Sequence, residues 1–75
     1  CVYAPGIRSL TDIKALVAAV APTPVNVLLM DSTMKVPELA AVGVRRVSVG
    51  GHFAKAAWAA YERSARSVIE QGHLP

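Results

Sequence analysis

A single amide interrupts the most apolar stretch of this chain. Pro24-Val25-Asn26-Val27-Leu28-Leu29-Met30 has strand length and β-branched side chains at Val25 and Val27. A half-solvated strand would alternate apolar with polar residues, so a nearly unbroken apolar run predicts a strand covered on both faces. Asn26 in such a place either satisfies its own hydrogen bonds locally or faces something that needs an amide. The polar segment Asp31-Ser32-Thr33-Met34-Lys35 follows at the C-terminal end of this strand, where loops carry chemistry in α/β barrels and open sheets alike. Gly50-Gly51 lies between a short strand pattern and a helix start. Two readings are open there: backbone N–H groups approaching an anion at the helix N-terminus, or glycine permitting a tight strand-to-helix turn.

The remaining reactive side chains are scattered. His52 and His73 have no second histidine, cysteine or carboxylate at metal-ligand spacing, so no metal site is expected within the chain. His52 is expected as a cap or loop residue, Asp12 as a capping residue and Asp31 as a solvated loop residue. Trp58 is expected on packing surface. Cys1, with no base or cation near it in sequence, reads as a buried, inert thiol.

Three strand-then-helix units must position these residues. The first opens with Cys1-Val2-Tyr3-Ala4, turns at Pro5-Gly6 and enters a helix from about Leu10 to Val20. Ser9 and Asp12 give that helix a capping-box-like start; Leu10, Ile13, Leu16, Val17 and Val20 share one face. Ala21-Pro22-Thr23-Pro24 ends it, because proline cannot donate to a continuing ladder. After the central strand, Pro37 suits the first turn of a short helix carrying Glu38, Leu39, Ala40 and Ala41, with Gly43 as its C′ residue. The third unit is Arg45-Arg46-Val47-Ser48-Val49, then a long helix from about His52 to Gln71 with Gly72 as its stop. Phe53, Ala57, Ala60, Tyr61, Ser64 and Val68 trace one face of that helix, and Glu62, Arg66 and Glu70 form a charged ladder on another. Strands alternating with helices specify parallel pairing and an α/β architecture.

Composition narrows the function. A chain of 75 residues has room for one small domain at most, and 53% apolar against 17% charged residues leaves more apolar surface than so small a core can bury. The excess predicts a contact surface. The start at Cys1, inside a strand pattern, is the mark expected of a piece of a longer protein. A net charge of +3 is spread along the chain, and Arg45-Arg46 is too short a run for a nucleic-acid patch; a solvated loop explains it. One cysteine cannot form an internal disulfide, and no signal peptide or apolar span of membrane length is present. A cytoplasmic setting, with neither nucleic acid nor membrane as partner, is the expectation.

Three segments in order carry a resemblance: Tyr3-Ala4-Pro5-Gly6-Ile7, Pro24-Val25-Asn26-Val27-Leu28, and Gly43-Val44-Arg45-Arg46-Val47-Ser48-Val49-Gly50-Gly51. Together they resemble the C-terminal part of the isocitrate lyase/phosphoenolpyruvate mutase superfamily, and most of all its carboxyvinyl-carboxyphosphonate phosphorylmutase and methylisocitrate lyase-like branches. The resemblance covers nearly the whole chain. It implies a (β/α)8 TIM barrel, of which these units are strands six to eight with their helices. It also implies a magnesium ion that holds an α-keto acid or enolate while a C–C or P–C bond is made or broken. The metal-binding acids and the catalytic cysteine loop lie earlier in the family's chain, so no catalytic or metal-ligating residue is expected here and the 75 residues alone are expected to be inactive.

Two positions carry over from the resemblance. Asn26 matches an asparagine on the seventh strand that helps hold the substrate carboxylate or phosphoryl group. Lys55 falls where several members have a substrate-contacting arginine; lysine keeps the charge and loses the bidentate fork. Where methylisocitrate lyases carry a glutamate after the sixth strand, this chain has Ala4-Pro5-Gly6, and the histidine of the phosphonomutases is absent. A related keto-acid lyase or hydrolase therefore stays open. So do two other readings: a packing and oligomerisation module whose last helix is exchanged between subunits of a homo-oligomer, as in the family, and a phosphate-binding part of another barrel through Gly50-Gly51.

Overall fold

The computed structural model describes residues 1–75. Three short strands, β1 (Val2–Tyr3), β2 (Val25–Leu28) and β3 (Arg46–Ser48), form one parallel sheet in the order β1-β2-β3. Helix α1 (Leu10–Val20) connects the first pair and α2 (Val36–Ala41) the second. Helix α3 (His52–Arg66) follows β3 and runs into a π-helical segment, Ser67–Gln71.

Local sequence explains these boundaries. Ser9 stands at the N-cap of α1 in extended geometry, its hydroxyl accepting the Asp12 amide N–H at 3.4 Å, which satisfies one of the orphan donors of the first turn. Pro37 sits in the first turn of α2, where its missing N–H removes no helical bond. Gly43 ends that helix at φ +102°, its N–H donating to the Ala40 carbonyl at 3.1 Å. A Cβ on Gly43 would lie 2.8 Å from Val17 Cγ1. Glycine is therefore required twice, for the backbone angle and for the passage of the chain beside α1. Gly72 stops the last helix at φ +77° and donates to the Val68 carbonyl at 3.0 Å.

The sheet has one apolar and one polar face. Val25 and Val27 pack with Ile13 of α1, Leu39 of α2 and Val44 in the buried core, with Val2 and Val47 against it. Parallel register sets Val2 beside Val25 and Val27 beside Val47, so these side chains share a face. Both helices therefore cover the same side, as right-handed crossovers between sequentially adjacent strands require. Tyr3, Asn26, Leu28, Arg46 and Ser48 occupy the alternate positions on the other face. Helices confined to one side of a sequentially ordered parallel sheet match a segment of barrel wall; a doubly wound sheet carries helices on both sides.

Four expectations from sequence change. The central strand spans Val25–Leu28, shorter than its apolar run, although the Leu29 N–H still reaches the Ser48 carbonyl at 2.8 Å. Cys1 is exposed and not buried, because the ladder on edge strand β1 begins at Val2. Arg46 lies within β3 and not in a solvated loop. The last helix keeps its expected span to Gln71 and its stop at Gly72, but after Arg66 its turns widen from α into π geometry.

The α3 segment extends away from the sheet. None of its residues is buried, and Phe53 (74%), Trp58 (67%) and Tyr61 (68%) stand largely exposed, Trp58 and Tyr61 meeting edge to face at 5.9 Å. The molecule measures 57 × 19 × 16 Å with a radius of gyration of 18.0 Å, against roughly 11 Å for a compact domain of this length. No helix is long and apolar enough to cross a membrane.

Candidate functional site

Parallel strands place their exits at one end of the sheet, so the loops after β1, β2 and β3 gather there. Arg8, in the loop after β1, pairs with Asp31, in the loop after β2. The Asp31 carboxylate is otherwise used within its own loop: Oδ1 accepts the Thr33 N–H at 2.8 Å and the Thr33 hydroxyl at 2.5 Å. Asp31 is thus a loop residue, as the sequence predicts, but it braces two strand exits instead of standing alone in solvent. Between this loop and the start of α3 lies an open cleft of about 280 Å³, lined by Leu29, Met30, Asp31, Ser32, Val49, His52 and Phe53.

At the third exit, Gly50 adopts φ +54° and a Cβ there would touch Leu28 Cδ1 at 3.4 Å. The turn itself requires this glycine. His52 is the first residue of α3. Lys55 follows in the first turn, its N–H bonded to the Gly51 carbonyl at 2.9 Å and its side chain exposed beyond the β3 exit.

Asn26 sits lower, as the second residue of β2 and level with Arg46 in the parallel register. It is only 3% exposed. Both ends of its amide are engaged: Oδ1 accepts from Arg46 Nε at 3.1 Å, and Nδ2 donates to Ser48 Oγ at 3.0 Å. Arg46, Asn26 and Ser48 thus form a polar diagonal across the face turned away from the helices. No buried polar side-chain atom of the molecule lacks a partner. Asn26 and Lys55 are therefore at different heights, one in the entry half of the sheet and one above its exit.

Sequence reasoning singled out Asn26 and Lys55 and missed Arg46, Ser48 and Arg8. The alternation Arg46-Val47-Ser48 was the available signal, since period two sends Arg46 and Ser48 to one face and Val47 to the core. The Arg8 contact joins residues far apart in sequence and left no local trace.

A magnesium cradle is not formed by these residues. No group of three or more histidine, cysteine, aspartate or glutamate side chains converges anywhere in the chain, and the one carboxylate at the strand exits is committed to Arg8 and Thr33.

The winding and the face free of helices define an α/β chain whose parallel sheet is consistent with part of a barrel wall, with the loops after its three strands gathered at one end. Residues 1–69 match the phosphoenolpyruvate phosphomutase family, and the chain belongs to that family, within the isocitrate lyase/phosphoenolpyruvate mutase superfamily. A crystal structure of a provisionally assigned lyase/mutase from Burkholderia cenocepacia J2315 is similar at 43% identity and a TM-score of 0.79, over 96% of this chain and 26% of that one. The chain thus spans about a quarter of that protein's length. No curated protein matches it.

Proposed function

We propose that this chain forms the last three strand–helix units of a (β/α)8 barrel in a lyase/mutase-type enzyme that makes or breaks C–C or P–C bonds of α-keto-acid-related carboxylates. The observation that carries the reading is the two-faced sheet. Its helix-covered face is a complete apolar layer, whereas the opposite face presents Asn26, Arg46 and Ser48 where a barrel interior would lie. Membership of the phosphoenolpyruvate phosphomutase family supports the reaction class. It also sets aside the alternative of an unrelated phosphate-binding barrel.

In this reading Asn26 holds the substrate through its second Nδ2 hydrogen, and Lys55 supplies positive charge at the mouth. Fixed donors of this kind stabilise developing negative charge because they need no reorganisation during reaction. The magnesium ion that the family implies, which as a Lewis acid would polarise the keto group, would be held by residues outside these 75. A cytoplasmic setting belongs to the same proposal. The test is catalytic: a longer protein carrying this chain should turn over methylisocitrate, phosphoenolpyruvate or simple α-keto acids in a magnesium-dependent way. Absence of turnover across that panel would refute the reading.

A second reading concerns assembly and is favoured by α3. Phe53, Trp58 and Tyr61 on α3 and Ile69 in the π-helical segment after it are exposed, and neither segment has a buried residue. Such area is stabilised by burial at about 25 cal/mol per Å². We infer that α3 packs against another copy, giving a homo-oligomer. Sedimentation of the longer protein as a monomer would contradict this.

A further inference from the structure

We propose that Arg46 is a positioning residue that fixes the orientation of the Asn26 amide, so that its donor end, and not its acceptor end, is turned toward the strand exits. The inference rests on the reading of Asn26 as an anion-holding group. An asparagine amide has two chemically opposite ends of nearly equal size, and rotating it by half a turn exchanges donor for acceptor. A site meant for a carboxylate or phosphoryl oxygen must prevent that rotation.

The register supplies the means. Arg46 is level with Asn26, and Ser48 is level with Leu28, the last residue of β2. The diagonal therefore runs from the entry side of the sheet to the exit side. Arginine can only donate, so the amide atom facing Arg46 Nε must be Oδ1, as the 3.1 Å contact shows. Nδ2 is then forced toward Ser48, 3.0 Å away, on the exit side. Ser48 could not do this alone. A hydroxyl donates or accepts equally well and would accompany either orientation of the amide. Only the cation breaks the symmetry. The contact also turns the positive charge of Arg46 toward the amide oxygen, which polarises the amide and strengthens its N–H groups as donors. Arg46 has no carboxylate partner in the chain.

The test separates orientation from general support. Binding of oxalate, used as a planar dicarboxylate probe, is measured by calorimetry on the longer protein carrying this chain, beside melting curves. Arg46→Met should weaken oxalate binding by about 10-fold or more, the effect expected when a hydrogen bond to a charged group is lost. Arg46→Lys, which also can only donate, should bind within about threefold of the unsubstituted protein on the same scale. Arg46→Glu should bind weakest, because an acceptor at this position draws Nδ2 down and turns Oδ1 toward the anion. Equal binding by the methionine and lysine variants would overturn the proposal, as would melting temperatures that fall while affinities stay unchanged. Failure of the unsubstituted protein to bind oxalate would instead overturn the anion-holding role of Asn26 itself, and the positioning role with it.

Discussion

At the scale of single residues, Asn26 is both structural and a candidate for function, and two substitutions separate these roles. Asn26→Ala removes the partner of Arg46 Nε and the donor to Ser48, which should cost about 1–3 kcal/mol of stability. It should also lower kcat/KM by a factor on the order of 10²–10³, as for loss of one preorganised anion donor. Asn26→Asp keeps an acceptor for Arg46, now charge-assisted, while Ser48 can turn its hydroxyl to donate. The aspartate variant should therefore melt closer to the unsubstituted protein than the alanine variant does, yet be at least as impaired in kcat/KM. Thermal melts and steady-state kinetics on both variants check this; an aspartate variant that retains activity would remove Asn26 from the substrate site. Sequence alone made Asn26 conspicuous because a lone amide in an apolar strand must be explained. It could not reveal which partners the amide had, since Arg46 and Ser48 reach it only through the register of β2 with β3. For Asp31 the sequence showed a loop residue, and only the fold supplied Arg8. That pair is exposed, and its contribution should be small: Asp31→Ala should change stability by no more than about 1 kcal/mol in a denaturant titration.

Among the elements, helix limits were the most legible feature. Ser9 and Asp12 mark the start of α1, Pro37 the first turn of α2, and Gly43 and Gly72 the stops, each through backbone chemistry that operates within a few residues. Strand limits were less legible. The apolar run from Pro24 to Met30 continues past Leu28 because Leu29 and Met30 are needed as partly buried residues after the ladder ends, and hydropathy does not distinguish those duties. Of the face traced by Phe53, Ala57, Ala60, Tyr61, Ser64 and Val68 no residue is buried, although Phe53 lines the cleft with Leu29 and Met30. The charged ladder does form, with Arg66 bonded to Glu62 at 2.9 Å and near Glu70 at 3.6 Å. The sharpest test of packing between elements is Gly43→Ala. The new methyl would meet Val17 at 2.8 Å and force an unfavourable positive φ. A loss of about 1–3 kcal/mol is expected from overpacking alone, read as a lowered melting temperature. Val17→Ala in the same background should recover part of that loss, and no recovery would show that the backbone angle, not the contact, dominates.

At the scale of the whole molecule, the 57 Å length and the largely exposed α3 follow from the same cause as the apolar excess in the composition. A three-stranded parallel sheet covered by helices on one side leaves the other side without helices, two outer strand edges unpaired and the final helix without a buried residue. The α/β class and the order of units were readable from alternating strand and helix patterns. How the helix-free face is covered was not, because closure of a sheet depends on strands that these residues do not supply. The proposed function divides the labour: this chain would contribute binding groups and wall, and the activated centre would lie with other residues of a longer enzyme. The most direct measurement is turnover of methylisocitrate, phosphoenolpyruvate and simple α-keto acids, with and without magnesium, by the 75-residue chain and by a longer protein that carries it. The account predicts magnesium-dependent turnover by the longer protein and none by the chain alone, whereas turnover by the isolated chain, or none by either, would contradict it.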